Sequence, residues 1–371
     1  NSDRNTGRSN VFGGYDYGVE AGTDDDSNVP GSEADSDEIR ANYFGVSPSG
    51  ASIPLGRAGV YAPFADSLSI VNNVFGNIGS GQATDAGISL VNVEIGIHQI
   101  TNNIIGVSPD GTSQPISGDG IYISGGRTEG IQDNIIGNAT GNGITVVDVT
   151  STSGGPNIER NSIGSTPAGA DIGNGLAGIE FDNVTFGYVE PTSGGDFMTD
   201  GNLIAFNGGP GVAVTGDASR IRIRGNVFRN NGGPMVDLGD DGTTANDGAD
   251  GDADTGPNKL LNTPEVVAFD CQPGLSADQL MLTYRVRTTQ SNANFDATDG
   301  ITIDLYAGSD PDNVEEYLTT DQYTGGFTNK DVTTSGPNLC DKYLFMTTTD
   351  DFAFPGNNST SEFLSPSQPL P

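Results

Sequence analysis

The densest group of potential metal ligands in the sequence is a glycine-rich acidic stretch at residues 237–254. Alternating carboxylates in such a loop can converge on one Ca²⁺ ion, which takes about six to eight oxygen ligands. The stretch has no glutamate at the twelfth loop position and is therefore not an EF-hand. The alternative is a solvated acidic linker without a bound ion. The candidate calcium ligands are Asp237, Asp240, Asp241, Asp247, Asp250, Asp252 and Asp254.

A second acidic stretch lies nearer the N-terminus. Three consecutive aspartates, residues 24–26, are followed by Glu33, Asp35, Asp37 and Glu38. We expect a solvated loop inserted between structural repeats, because charge-rich stretches usually stay hydrated. Calcium binding at this stretch is the alternative.

Three arginines alternate with two isoleucines: Arg220, Arg222 and Arg224 enclose Ile221 and Ile223. On a β-strand successive side chains point to opposite faces, so the arginines should share the outer face and the isoleucines the core. The guanidinium groups can pair with a uronate polymer, with an acidic loop of a neighbouring copy, or with carboxylates of the same chain. Pairing within the chain is favoured. A uronate lyase uses calcium and a basic side chain, so these arginines are the catalytic candidates that the sequence offers.

Charge and cysteine content restrict the function classes. The chain has 15 Lys and Arg residues and 49 Asp and Glu residues, a formal net charge of −34. Nucleic acid is not expected as a partner, because phosphate binding requires a basic surface. No stretch is long and apolar enough to span a membrane. Cys271 and Cys340 are expected to form a disulfide, with two buried thiols as the alternative, and this favours a secreted or cell-surface protein.

An internal repeat predicts the elements that carry these residues. An Asn-x-apolar-Gly motif recurs about every 30 residues, and two looser copies follow. Stacked coils place equivalent residues about 4.8 Å apart along the axis, so each side-chain amide can bond to the amides of neighbouring coils. The repeated asparagines and the glycines after them are therefore predicted to be structural. The motifs begin at Asn10, Asn42, Asn73, Asn103, Asn134, Asn161, Asn202 and Asn226.

Each repeat contains a second strand signal, a glycine followed by alternating apolar residues. These signals begin at Gly59, Gly87, Gly120, Gly143, Gly178 and Gly211. Parallel strands without crossover helices form most simply when the chain coils and each coil stacks on the previous one. We therefore expect an all-β chain in which residues 1–262 form a parallel β-helix of about eight coils.

These Asn and Gly repeats resemble the right-handed parallel β-helix proteins of the pectate-lyase-like superfamily, especially bacterial and archaeal secreted or cell-surface proteins. The resemblance covers residues 1–262 and implies a right-handed solenoid. A polygalacturonase-like hydrolase of this fold would need a Gly-His-Gly element and an Arg-x-Lys element. The single histidine, His98, stands in Ile-His-Gln, and Arg-x-Lys is absent. His98 is expected to be a surface or turn residue.

From Thr263 onwards the Asn motif stops. Short strands are expected at residues 280–287, 301–306, 317–320, 343–348 and 362–364. This pattern, and its similarity to the domains that follow such β-helices, predicts a small antiparallel Ig-like β-sandwich at residues 263–371. The sandwich would contain the Cys271–Cys340 disulfide and end in a proline-rich tail.

Two functions from different classes fit these features. The first is a non-catalytic, extracellular structural or adhesive protein with calcium-binding acidic loops. Its partners would be other copies of itself or cell-surface and matrix glycans. Copies could stack head to tail into filaments, because an uncovered coil end is a pairing edge. The alternative is a polysaccharide-binding protein or a calcium-dependent uronate lyase.

Overall fold

The computed structural model contains strands, turns and two short helical turns. The strands from Val11 to Leu238 form a parallel β-solenoid, and those from Glu265 to Thr349 form two antiparallel sheets, so the predicted fold class is confirmed. No described helix is long and apolar enough to cross a membrane. The described residues are 9–21, 37–65, 67–82, 84–93, 98–126, 130–150, 154–192, 195, 197, 199–246, 255–274, 277–287, 301–323, 328–350 and 359–364.

The first sheet contains the strands of the Asn motif. Equivalent residues of adjacent coils pair in parallel, so that Ile105 lies opposite Phe75 on one side and Ile136 on the other. In axial order its eight strands are β1 (Val11–Phe12), β4 (Tyr43–Phe44), β7 (Val74–Phe75), β10 (Ile104–Ile105), β13 (Ile135–Ile136), β16 (Ser162–Ile163), β19 (Leu203–Ala205) and β22 (Val227–Arg229).

The second sheet contains the predicted glycine-apolar strands. Ile121, Ile144 and Ile179 pair in register and are fully buried, so the residues that alternate with them face outward. Its eight strands are β2 (Tyr17–Glu20), β5 (Ala58–Pro63), β8 (Ala86–Val91), β11 (Asp119–Ser124), β14 (Ile144–Val147), β17 (Ile179–Asp182), β20 (Val212–Thr215) and β23 (Val236–Leu238).

The third sheet was not identified from the sequence. Most of its strands are three to five residues long, which leaves room for only one or two alternations of apolar and polar side chains. Its seven strands are β3 (Asp37–Arg40), β6 (Leu68–Val71), β9 (Gln99–Thr101), β12 (Gly130–Gln132), β15 (Asn157–Glu159), β18 (Thr185–Val189) and β21 (Ser219–Ile223).

A ladder of asparagines follows the turn between the third and first sheets, as predicted. The side-chain amide of each donates to the Oδ1 atom of its equivalent in the next coil, at 2.8–3.3 Å. Residues on the interior of the ladder also donate to a backbone carbonyl of the preceding coil, as Asn134 does to Ile100. The ladder therefore satisfies buried polar groups that would otherwise destabilise the core. We call the series from Asn10 to Asn226 the Asn ladder.

The tight turn at the ladder depends on left-handed backbone conformations. Residues that precede ladder asparagines have φ near +56°, including Ala41 at 56°, Asn72 at 57° and Asp133 at 58°. After the apolar pair, Gly106 has φ 82°, and a Cβ there would lie 1.6 Å from the carbonyl oxygen of Gly137. Only glycine fits this close approach between coils.

The C-terminal unit consists of two three-stranded antiparallel sheets with an apolar core between them. The strands predicted near residues 280, 301, 317 and 343 are present. Two further strands, at Glu265–Gln272 and Lys330–Gly336, were missed, because much of their alternation is between half-exposed and exposed side chains. Residues 362–364 are not a strand. The Ig-like topology stays a prediction. The strands are β24 (Glu265–Gln272), β25 (Asp278–Arg285), β26 (Ile301–Gly308), β27 (Glu316–Tyr323), β28 (Lys330–Gly336) and β29 (Tyr343–Thr349).

Cys271 and Cys340 form the predicted disulfide, with their Cα atoms 5.5 Å apart. The bond links β24 to a short helical turn at Leu339–Asp341. It closes a loop with a sequence separation of 69 residues. A cross-link of this span stabilises by about 4 kcal/mol in the chain-entropy model.

The C-terminal unit covers the last coil of the solenoid. Phe228 and Val314 exchange two backbone hydrogen bonds, both 2.9 Å long, and Thr360 N–H donates to the carbonyl of Ile221 at 3.1 Å. Phe363 packs edge-on against Phe228, with ring centroids 5.6 Å apart. The two units therefore share one apolar core at their junction.

Candidate functional site

The outer side of the second sheet carries a patch of polar and aromatic side chains. In β11, Ile121 and Ile123 point into the core, so Tyr122 between them faces outward. The strand register places Tyr122 between Ser89 and Thr145 of the adjacent coils. We call this patch the polar face, and its residues are Tyr17, Tyr61, Asp119, Tyr122, Asn142, Thr145 and Glu180.

Asn142 holds the polar face together across three successive coils. Its backbone N–H donates to Asp119 Oδ1 at 2.8 Å. Its side-chain amide donates to Glu180 Oε2 at 2.6 Å and to Thr145 Oγ1 at 3.0 Å, while Asn142 Oδ1 accepts from Ala177 N–H at 2.8 Å. Since both ends of the Asn142 amide are engaged, the two carboxyl groups have defined positions.

The two carboxyl groups have perturbed acidities. Burial raises the pKa of Asp119, and hydrogen bonds from Thr145 and Asn142 partly offset this. Burial also raises the pKa of Glu180, and the charges of Asp119 and Asp182 raise it further. Carboxyl groups desolvated in this way, without a basic partner, are typical of binding and catalytic sites.

Tyrosines form the other end of the polar face. The rings of Tyr17 and Tyr61 stack with centroids 4.7 Å apart, and the Arg57 guanidinium lies 5.8 Å from the Tyr17 ring centre. Tyr122 is half-buried, and this burial raises the pKa of its hydroxyl. Each of these tyrosines offers both an apolar ring and a hydrogen-bonding group.

The predicted outward orientation holds for two of the three arginines, whereas Arg224 follows the end of β21 and is buried. In β21, Ile221 and Ile223 are buried in the core, while Arg220 and Arg222 lie on the outer side. The Arg220 guanidinium stacks over the ring of Phe186, 4.7 Å from its centre.

Pairing with carboxylates of the same chain is found for Arg222 and Arg224. Arg222 Nε lies 3.0 Å from Glu190 Oε2. Arg224 is 6% exposed and donates to both carboxylate oxygens of Asp304, at 2.5 and 2.8 Å, and to Thr320 Oγ1 at 3.2 Å. Arg224 thus fastens the C-terminal unit to the solenoid, and it contributes no free charge to an external anion.

The acidic stretch after β23 is only partly described. Asp237 is 2% exposed and accepts backbone hydrogen bonds from Asp241 at 3.2 Å and Gly242 at 3.1 Å, so it closes a turn. Within the described part of the chain, no group of three or more His, Cys, Asp or Glu side chains is arranged to hold a metal. The candidates at positions 247, 250, 252 and 254 lie outside the described residues. Calcium binding stays a prediction.

The acidic stretch at residues 24–38 is also only partly described by the structure. Positions 24–26, 33 and 35 lie outside the described residues. Asp37 and Glu38 belong to β3, and Glu38 accepts a hydrogen bond from Arg40 at 2.6 Å. These last two acids are therefore strand residues rather than part of an inserted loop.

The prediction that His98 is a surface or turn residue was wrong about its exposure. The side chain is fully buried, immediately before β9. Burial lowers its pKa to about 4. A lone histidine between Ile97 and Gln99 gives no clear signal of burial, because the coil geometry rather than the local pattern turns it inward.

Sequence reasoning missed a second, shorter asparagine ladder. Asn174 donates to Asn207 at 2.9 Å, and Asn207 donates to Asn231 at 3.0 Å. Each of the three is followed by glycine, and this recurring Asn-Gly pair was the available signal. The polar face had no comparable signal, because its residues differ from coil to coil.

Comparison of the chain with protein-family models, with curated proteins and with solved structures gave no match.

Proposed function

We propose that the chain is an extracellular, non-catalytic structural or adhesive protein that binds neutral glycans on its polar face. The observation that carries the proposal is the Asn142 network, which fixes two carboxyl groups on the same face of the solenoid as the half-buried Tyr122. Sugar hydroxyls need such paired hydrogen-bond acceptors, and tyrosine rings pack against the apolar faces of sugars. The disulfide supports an oxidising compartment.

The charge of the site favours neutral over acidic glycans. Asp119 and Glu180 already repel one another, and this repulsion contributes to the raised pKa of Glu180. A uronate would add a further negative charge to this site. Arg220, Arg222 and Arg224 do not offset that charge, because they contact Phe186, Glu190 and Asp304 respectively. The uronate-polymer alternative would therefore require a bridging cation at this face.

Binding should be measured by calorimetric titration with neutral oligosaccharides and with an oligo-uronate. Tyr122→Ala should weaken binding of the neutral glycan about tenfold or more, since it removes a ring from the site. The matched control is Tyr188→Ala, because Tyr188 is also half-exposed but lies on the third sheet. Equal affinities of the two variants, or tighter binding of the uronate in the absence of calcium, would contradict the proposal.

Calcium binding by the acidic stretch is a separate proposal. It rests on the alternating carboxylates between residues 247 and 254 together with Asp240 and Asp241. Calcium titration by calorimetry should show a saturable site, and the chelator EDTA should lower the Tm. No heat of binding and no shift in Tm would exclude it.

Self-association through the C-terminal coil end is not part of the proposal. Phe228 and Ile221, on the last strands of two sheets, are already bonded to Val314 and Thr360. A filament would therefore have to use another surface at this end.

A further inference from the structure

The last strand of the second sheet lacks a pair of backbone hydrogen bonds that the preceding strands make. At the start of each of four successive strands, two consecutive backbone N–H groups donate to two consecutive carbonyl oxygens of the next coil at 2.9–3.0 Å. The donor pairs are Gly120 with Ile121, Gly143 with Ile144, Gly178 with Ile179, and Gly211 with Val212.

On β23 the equivalent donors are Met235 and Val236, because Val236 pairs with Val212 in register. β23 is the last strand of this sheet among the described residues, which provide no acceptor for these two N–H groups. The last strands of the other two sheets differ. Phe228 N–H donates to Val314, and Ile223 N–H donates to Thr360 Oγ1 at 3.0 Å. The C-terminal unit also reaches the second sheet, because Leu238 N–H in β23 donates to Glu362 Oε1 at 3.0 Å. Only the start of β23, at Met235 and Val236, is left open within the described residues.

A cavity of about 420 Å³ lies beside this open edge. Its size falls within the range of about 300–1,000 Å³ that is usual for ligand pockets, and such pockets often form between domains. Both units line it, and its walls combine apolar side chains with the strand edge. The lining residues that matter here are Met235, Val236, Thr243, Asp312, Phe363 and Leu364.

We propose that this cavity binds an extended peptide segment of another protein, which pairs in parallel with the start of β23, ahead of the Leu238 N–H that Glu362 already engages. The two open N–H groups require two consecutive carbonyl oxygens, as only an extended backbone presents them in this register. The cavity is continuous with the interface between solenoid and C-terminal unit, so a side chain of the added strand would pack against Phe363.

The earlier coils indicate which peptide fits. The first carbonyl of the acceptor pair belongs to Pro210 in one coil and to Pro234 in the next. Proline is acceptable there because the position supplies a carbonyl and needs no N–H. The preferred partner is therefore an extended segment with a Pro-Gly-apolar sequence. This site does not depend on the polar face.

The probe is a fluorescent synthetic peptide with the sequence of residues 208–215, Gly-Gly-Pro-Gly-Val-Ala-Val-Thr. Anisotropy titration with the full chain should show saturable binding, and a scrambled peptide should not bind. Thr243→Trp and Asp312→Trp, at two exposed residues of the cavity lining, should each weaken binding tenfold or more. The matched controls Ala245→Trp and Ser309→Trp are also exposed but do not line the cavity, and they should bind like the unmodified chain.

Several outcomes would overturn the proposal. They are equal binding of the scrambled peptide, unchanged affinity of both Thr243→Trp and Asp312→Trp, or no binding at all. Peptide binding that appears only when the chain is shortened after Leu364 would assign the cavity to the protein's own tail rather than to a partner. Circular dichroism should confirm that each variant is folded.

Discussion

The Asn ladder and the polar face are both rows of polar side chains along the solenoid, yet they differ in repetition and in exposure. The ladder presents the same residue in coil after coil, and from Asn42 to Asn226 its members are at most 7% exposed. The polar face changes from Tyr122 to Thr145 to Glu180 over adjacent coils and remains open to solvent at Tyr122 and Glu180.

This difference separates residues that hold the coils together from residues available to a ligand. A side chain that repeats in every coil and bonds to its equivalents and to backbone carbonyls serves the stacking itself. Asn142 of the polar face also joins adjacent coils, but the residue types around it vary between coils and can be shaped for binding. We therefore expect damage to the buried polar contacts to lower stability, and damage to the polar face to lower glycan affinity with little effect on stability.

The largest effect on stability should come from Arg224→Met. It leaves the Asp304 carboxylate buried without its partner, which typically costs about 3–5 kcal/mol. The free energy of unfolding from urea titration measures this loss, while glycan affinity should be retained. Arg40→Met, which removes an exposed pair with Glu38, should change stability by less than about 1 kcal/mol. Equal effects of the two variants would contradict the assigned role of Arg224.

Acidification should destabilise the fold through His98. Its folded pKa of about 4 lies below its unfolded value of 6.5, so the unfolded chain binds more protons between these values. The contribution is complete above pH 6.5 and decreases by about 3 kcal/mol as the pH falls to 4. Unfolding free energies of the unmodified chain and of His98→Gln should diverge over this range. Parallel pH profiles would mean that His98 is hydrated in the folded state.

Asn134→Ala should destabilise by about 2–3 kcal/mol, because it leaves the buried Asn103 N–H and the Ile100 carbonyl without these partners. The matched control is Asn10→Ala at the exposed start of the ladder, where water can replace the lost bonds. Thermal unfolding followed by circular dichroism should place the Tm of Asn10→Ala well above that of Asn134→Ala. A higher Tm for Asn134→Ala than for Asn10→Ala would contradict the structural role assigned to the buried part of the Asn ladder.

The smallest effect on stability should come from Glu180→Gln. Burial raises the folded pKa of Glu180, so its ionised form is disfavoured and stability is lost as the pH rises through that pKa. The neutral amide removes this cost, and stability at pH 7 should increase by less than about 1 kcal/mol because Glu180 is partly exposed. The same variant should weaken glycan binding, and unchanged affinity would place the ligand elsewhere.

Elements that repeat along the chain could be predicted from the sequence. The Asn motif and the glycine-apolar strands recur with a constant local pattern, and the disulfide follows from an isolated cysteine pair. The third sheet was missed since its strands are too short to show a period. Pairing of the arginines within the chain was favoured, but the partner of Arg224 lies 80 residues away, in the other unit.

The polar face could not be predicted, because its contacts join different residue types over long distances in the chain. Asn142 bonds to Asp119 at a separation of 23 residues and to Glu180 at a separation of 38. Loop lengths vary between coils, so spacing alone does not show that these residues meet. Knowledge of the strand register is needed first.

Carboxyl labelling with a carbodiimide, read out by mass spectrometry, tests the binding role of the polar face most directly. Saturation with a neutral oligosaccharide should reduce labelling of Glu180 and leave the exposed carboxylate of Glu38, on the third sheet, unchanged. Labelling of Glu180 that stays constant at saturating glycan, or falls equally at Glu38, would contradict the assignment of the polar face as the glycan site.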